Sequence, residues 1–203
     1  MSDARSYRVA VGSQDVELPL VALSGNLTIA LLITVDHGLA FAGTAGRELA
    51  TELTPFAPDI VVSVATMGIP LAIEVTRSLG LDEYVILHKT PKIHLGDAYS
   101  EPVRSITTDV HQKLRMDPAR VPLVRGRRVA VVDDIISTGA SMSAALNLIR
   151  RVGGVPVVIG GLMTEGSGWR SALGPDAELV RALGAMPVFR PGPSGNGLRE
   201  DWS

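Results

Sequence analysis

The sequence predicts an α/β domain, with a mostly parallel central sheet flanked by helices and a small N-terminal segment of short strands. Three observations carry this. Hydrophobic residues make up 46% of the 203 but aromatic ones only 4%, so the core must be aliphatic, which suits strands buried on both faces beneath helices. Strand-like and helix-like patterns alternate through the second half, and parallel strands of that kind join by right-handed crossovers. The length fits one domain with a sizeable core.

Taken in order, residues 7–11, 16–23 and 27–35 read as short strands, broken by Gly12-Ser13 and by Ser24-Gly25-Asn26. Over 39–53, Leu39, Ala42, Ala45, Leu49 and Ala50 recur at helical spacing, and Pro55 stops the helix. Residues 59–65 form an apolar strand that runs through Thr66-Met67-Gly68 into a helix over 70–79, closed by Gly80. A strand over 84–88 follows. The polar stretch 89–127 contains Pro91, Gly96, Pro102, Pro118 and Pro122; loops of that length in a compact domain are usually functional, and part of it could pair as a hairpin. Then come a strand over 128–132, a helix over 141–152 ending at Gly153-Gly154, and a strand over 155–163. Residues 1–190 are read as the domain and 191–203, rich in Gly and Pro, as an extended or flexible tail.

Composition also excludes function classes. Without cysteine there is no disulfide framework, thiolate nucleophile or thiolate metal site. A net charge of −2, from 19 basic and 21 acidic residues, suggests no nucleic-acid surface. The apolar stretch 27–35 is too short to span a bilayer and leads into Asp36 and His37. The first residues lack a signal-peptide core, so the expected location is the cytoplasm, with no membrane partner.

The segment with chemistry is Val129-Ala130-Val131-Val132-Asp133-Asp134-Ile135-Ile136-Ser137-Thr138-Gly139-Ala140-Ser141. A buried strand delivers two adjacent carboxylates at its C-terminal edge, where open α/β sheets bind ligands. The small-residue turn that follows opens a helix, so several backbone N–H groups and hydroxyls converge where a phosphate can sit. Carboxylates beside an anion require something neutral or cationic between them, and a sugar diol and Mg²⁺ both meet that demand. A helix cap would need one acid, not two. A P-loop would place a Lys after the Gly, and here there is none.

This segment closely resembles the phosphoribosyl pyrophosphate motif of type I phosphoribosyltransferases. The resemblance extends over roughly residues 5–165 and is similar in layout to adenine and xanthine phosphoribosyltransferases, with the turn nearer the adenine branch. It implies the type I fold, with residues 6–35 as a hood and 18–32 as the part over a purine base. It further implies that Asp133 and Asp134 hold the ribose hydroxyls and, directly or through water, Mg²⁺. Ser137, Thr138, Gly139, Ala140 and Ser141 would hold the 5-phosphate. Thr66, Met67 and Gly68 fall in the pyrophosphate loop, Lys89 follows the next strand as a catalytic cation, and Lys92 begins a lid over 93–113. A homodimer is implied too. The pattern departs from the family at Ala65 and Met67, where an acid and a base are common, and at His88-Lys89, where Arg-Lys is usual.

The remaining signals are weaker. Asp97 and Glu101 are candidates for proton transfer or simply solvated loop acids. His37, His88, His94 and His111 show no metal spacing, and Trp169 and Trp202 read as packing or dimer-contact residues. Three functions stay open. The first is transfer of phosphoribosyl from its pyrophosphate to a purine base, adenine ahead of the others, as in purine salvage. The second is a specialised transferase using another sugar pyrophosphate or base. The third is a non-catalytic regulator that binds the donor.

Overall fold

The structure, a computed structural model, describes residues 6–91, 98–103, 112–192 and 197–203. Five strands form the central sheet: β4 (Ile60–Val64), β5 (Tyr84–Leu87), β8 (Arg128–Ile136), β9 (Val155–Glu165) and β10 (Val180–Met186). Their order is β10-β9-β8-β4-β5, and all four pairings are parallel. Successive side chains of a strand point to opposite faces, and each face here has its own core. Val61, Ala130 and Val132 pack on one side with Leu49 of α1 (Gly38–Leu53) and Leu71 and Val75 of α2 (Gly68–Ser78). Val62, Val129 and Val131 pack on the other with Leu146 and Ile149 of α4 (Ala140–Arg151). Val121 and Val124, which bound the short helix α3 (Val121–Val124), join the second core.

The chain leaves β4 toward β5 on one side and β8 toward β9 and β10 on the other. The boundary between β4 and β8 is therefore a topological switch point, where the two outgoing connections diverge and leave a crevice. β4 stops pairing at Ser63 opposite Val132, whereas β9 accompanies β8 as far as Ile136 opposite Thr164. Beyond Val132 the flank of β8 toward β4 is open to the loop that follows β4.

The first two N-terminal strands appear as expected, as β1 (Ser6–Val11) and β2 (Gln14–Ser24). The third is shorter than its apolar run suggests: β3 is Leu27–Ala30, followed by a 3₁₀ turn, Thr34–His37. Leu31 N–H still donates to the Pro19 carbonyl at 2.9 Å, but proline has no N–H to return and the ladder ends there. The tail also differs from expectation. Leu198–Asp201 is a strand, β12, antiparallel to β11 (Val188–Pro191), and the hood sheet runs β1-β2-β3-β11-β12. Arg190 Nε lies 2.7 Å from Asp201 Oδ2, and the Phe189 and Tyr7 rings meet edge-on at 5.1 Å. Where these two strands meet, Gly192 N–H donates to the Gly197 carbonyl at 3.1 Å.

In the long polar stretch, β6 (Tyr99–Pro102) and β7 (Lys113–Met116) pair antiparallel as the expected hairpin. Asp97, His94, His111 and most of the expected lid fall outside the described residues. No described helix is long and apolar enough to cross a membrane.

Candidate functional site

Strand β8 continues past Val132, so Asp133 and Asp134 lie within the ladder, Asp133 opposite Gly161. Asp133 is 8% exposed and its Oδ1 accepts the Asp134 N–H at 3.1 Å. Burial, and then the neighbouring Asp134 charge, push the Asp133 carboxyl well above the usual range; the Lys89 charge acts in the opposite direction. Lys89, two residues past β5, is thus close enough to be felt at the carboxylates.

The loop after β4 fills the open flank of β8. A Cβ at Gly68 would stand 2.4 Å from Ser63 Oγ and 2.6 Å from Asp133 Oδ1. No side chain fits there, so the backbone at the start of α2 can lie directly on the carboxylate. Thr66 is exposed and Met67 half-buried on this loop, whose Ala65–Thr66 peptide is cis. Its order comes from backbone bonds: Ala65 N–H to Leu87 O at 2.9 Å and Ile69 N–H to Thr66 O at 3.2 Å. Ser63 Oγ is fully buried and has no hydrogen-bond partner.

After β8 the turn 137–141 reverses the chain into α4. Gly139 has φ +76°, a left-handed conformation that favours glycine. A Cβ there would also come within 3.0 Å of both Ala172 Cβ and the Trp169 carbonyl oxygen. Asp133, Ser137, Thr138, Gly139 and Ser141 line a cavity of about 90 Å³, and Ala140, the first residue of α4, closes the turn with its N–H 3.4 Å from Thr138 Oγ1. A wider cavity of about 570 Å³ runs beside β5, lined by Ile69, Tyr84, His88, Asp117 and Arg120 among others, and shares no residue with the turn.

The switch point therefore brings together Asp133, Asp134, Lys89, Gly68 and the turn from Ser137 to Ser141. Thr66 and Met67 stand on the adjoining loop, and Lys92 lies outside the described residues. Two contributors escaped the sequence reading, and a third, Trp169, was read there only as a packing or dimer-contact residue. Arg115 on β7 donates from Nη1 to the Lys89 carbonyl at 2.8 Å, adding a guanidinium beside Lys89; it was hidden in a stretch read as loop. Glu165, 7% exposed at the end of β9, accepts the Ser137 hydroxyl at 2.5 Å, so that hydroxyl does not simply face the cavity. Trp169, 3% exposed on α5 (Gly168–Leu173), backs Gly139. A position at the C-terminal end of a core strand was the one signal available for Glu165.

Paired acids and a small-residue turn at the switch point of a parallel sheet form an arrangement suited to a phosphorylated, hydroxyl-rich ligand. Residues 40–181 match the phosphoribosyl transferase domain, and the chain belongs to that family, in its type I form. It is 32% identical over 151 residues to an adenine phosphoribosyltransferase of Streptomyces coelicolor, covering 73% of this chain and 71% of that one. It is 26% identical over 122 residues to an orotate phosphoribosyltransferase of Caldanaerobacter subterraneus, covering 60% of this chain and 53% of the relative; the chain spans about half of that relative's length. The crystal structure of adenine phosphoribosyltransferase from Thermoanaerobacter pseudethanolicus superposes with a TM-score of 0.69 at 18% identity, covering 83% of this chain and 95% of that one.

Proposed function

We propose that the chain transfers a phosphoribosyl group from phosphoribosyl pyrophosphate to a purine base, with adenine the first candidate. The observation that carries this is the packing of Gly68 on Asp133, which sets the loop after β4, the two acids and the turn 137–141 around one crevice. In this reading Asp133 and Asp134 accept the ribose hydroxyls. The N–H groups and hydroxyls of Ser137, Thr138, Gly139, Ala140 and Ser141 surround the 5-phosphate, as a helix N-terminus favours. The backbone at Thr66, Met67 and Gly68 faces the pyrophosphate, with Lys89 and Arg115 as nearby cations, and Lys92 is assigned to the same end.

The donor set suits Mg²⁺: Asp133 and Asp134, the first raised in pKa by burial and by its neighbour, would hold a divalent cation, whose charge would offset theirs. When bound, Mg²⁺ supplies charge neutralisation on the leaving pyrophosphate. The residues do the rest. They hold the sugar so that its C1 faces the base nitrogen, and fixed donors stabilise the charge that develops. The hood sheet, whose inner residues Leu18 and Ala30 are buried, is the candidate base-facing wall. A homodimer of the chain is part of the proposal, and light scattering at micromolar concentration reads it.

Met67 and Ala65 favour a second reading. They place no charge in the pyrophosphate loop, and loss of one charge-assisted contact costs about 1.5–3 kcal/mol, so a related sugar pyrophosphate is the alternative donor. Steady-state assays with Mg²⁺, a panel of sugar pyrophosphates and the bases adenine, guanine, hypoxanthine, xanthine and orotate separate the two. Adenine turnover with phosphoribosyl pyrophosphate is the expected result. Donor binding without turnover of any base would make the protein a regulator instead.

A further inference from the structure

Glu165 closes β9 on the same sheet edge as the turn, since Ile136 pairs with Thr164 and the next residues, Ser137 and Glu165, come side by side. Its carboxylate accepts the Ser137 hydroxyl at 2.5 Å, and Ser137 also lines the cavity enclosed by the turn. Ser137 therefore stands between a buried carboxylate and the place where an anion would sit. A hydroxyl has one proton to donate. While Glu165 is ionised that proton goes to Glu165, and Ser137 turns a lone pair toward the cavity, which a phosphate oxygen rejects. When Glu165 is protonated, its own O–H donates to Ser137 Oγ, and the Ser137 proton is free to point into the cavity.

We propose that Glu165 is a positioning residue for the sugar phosphate, which receives a hydrogen bond from Ser137 only when Glu165 carries a proton, so that binding takes up a proton from solvent. This rests on the reading of the turn as a phosphate site. Burial already holds the Glu165 carboxyl above its usual range, with the Ser137 hydrogen bond the opposing influence. Charged groups on neighbouring elements are Arg128, Asp133 and Asp134 on β8, Arg181 on β10, Arg170 on α5, and Asp176 and Glu178 on the 3₁₀ turn 174–179 that contacts β9. None of them is among the influences on its titration.

Calorimetric titration of the full chain with ribose 5-phosphate, from mildly acidic to mildly alkaline pH, tests this without requiring turnover. In Glu165→Gln the amide NH₂ donates to Ser137 at every pH. That variant should bind about tenfold more tightly than the wild type on the alkaline side, the worth of one hydrogen bond to a charged group, and the two should converge on the acid side. The ratio of the two affinities is the readout, because the ionisation of the ligand's own phosphate cancels in it. A ratio near unity at all pH values overturns the inference and leaves the phosphate site standing. A folded wild type that binds no ribose 5-phosphate overturns both. Should Glu165→Gln melt below the assay temperature, Ser137→Ala decides: the wild type should bind more tightly than this variant on the acid side and no more tightly on the alkaline side, and a ratio of the two affinities that does not change with pH refutes the relay.

Discussion

Adding a single methyl group at Gly68 probes the junction on which the site is built. In Gly68→Ala the new Cβ would meet Ser63 Oγ at 2.4 Å and Asp133 Oδ1 at 2.6 Å, both far inside contact distance, and neither neighbour is the end of a long flexible side chain. Overpacking of this kind costs about 1–3 kcal/mol. At about 2–4 °C per kcal/mol for a chain of this size, a loss of about 2 kcal/mol lowers the melting temperature by about 4–8 °C. Ser63→Ala should act in the opposite direction, because it removes a buried hydroxyl that has no partner and so relieves an unmet desolvation cost. In the double variant the nearer clash is gone and only the Asp133 contact remains. The two substitutions should therefore couple by about 1 kcal/mol instead of adding. Thermal melts of the four ligand-free proteins close the cycle, and donor KM should rise in Gly68→Ala and partly recover in the double variant. A Gly68→Ala melt within about 1 °C of wild type, with the cycle additive, would refute the packing of the loop on the carboxylate.

Asp133→Asn and Asp134→Asn should each cut donor turnover by about a hundredfold or more while leaving a folded protein, as loss of a charged acceptor in the transition state does; turnover near the wild-type rate in both overturns their role. The raised Asp133 titration also fixes a sign. Its stabilising contribution is full below the unfolded pKa and is lost as pH rises through the folded value, so the ligand-free Asn variant should lose less melting temperature than wild type between acid and neutral pH. Trp169→Ala should cost about 3–5 kcal/mol and weaken sugar-phosphate binding as well, because Trp169 backs Gly139; melts and calorimetry read the two effects. Met67→Lys should lower the KM for phosphoribosyl pyrophosphate about tenfold if the uncharged loop limits donor binding, and an unchanged, low-micromolar KM removes that explanation.

Four of the five central strands were legible because they are largely aliphatic runs, and the acids and turn stood out because two adjacent carboxylates at a strand end exceed what a helix cap needs. What escaped depends on contacts distant in sequence. β10 carries Arg181 and Gly184 amid its apolar residues, so it lacks the aliphatic run that marks β4 and β8. β12 lies in the stretch read as a Gly- and Pro-rich tail, and is a strand because β11 and Arg190 are there to pair with it. Glu165 is one acid among many until the β8–β9 register sets it beside Ser137. Patterning shows which residues are buried, but not which strands are neighbours.

The hood has an architecture that bears on attempts to redesign it. Its sheet joins three strands from the start of the chain to two from near residue 200, stitched at a single position where Phe189 faces Thr28. No contiguous cassette contains it. A graft that imports another relative's residues 6–30 would leave the native β11 and β12 docked against a foreign β3, with Phe189 meeting a foreign residue in place of Tyr7. Exchange of the hood in this protein is therefore a two-segment operation, in which the strands from both parts of the sequence must be drawn from the same parent.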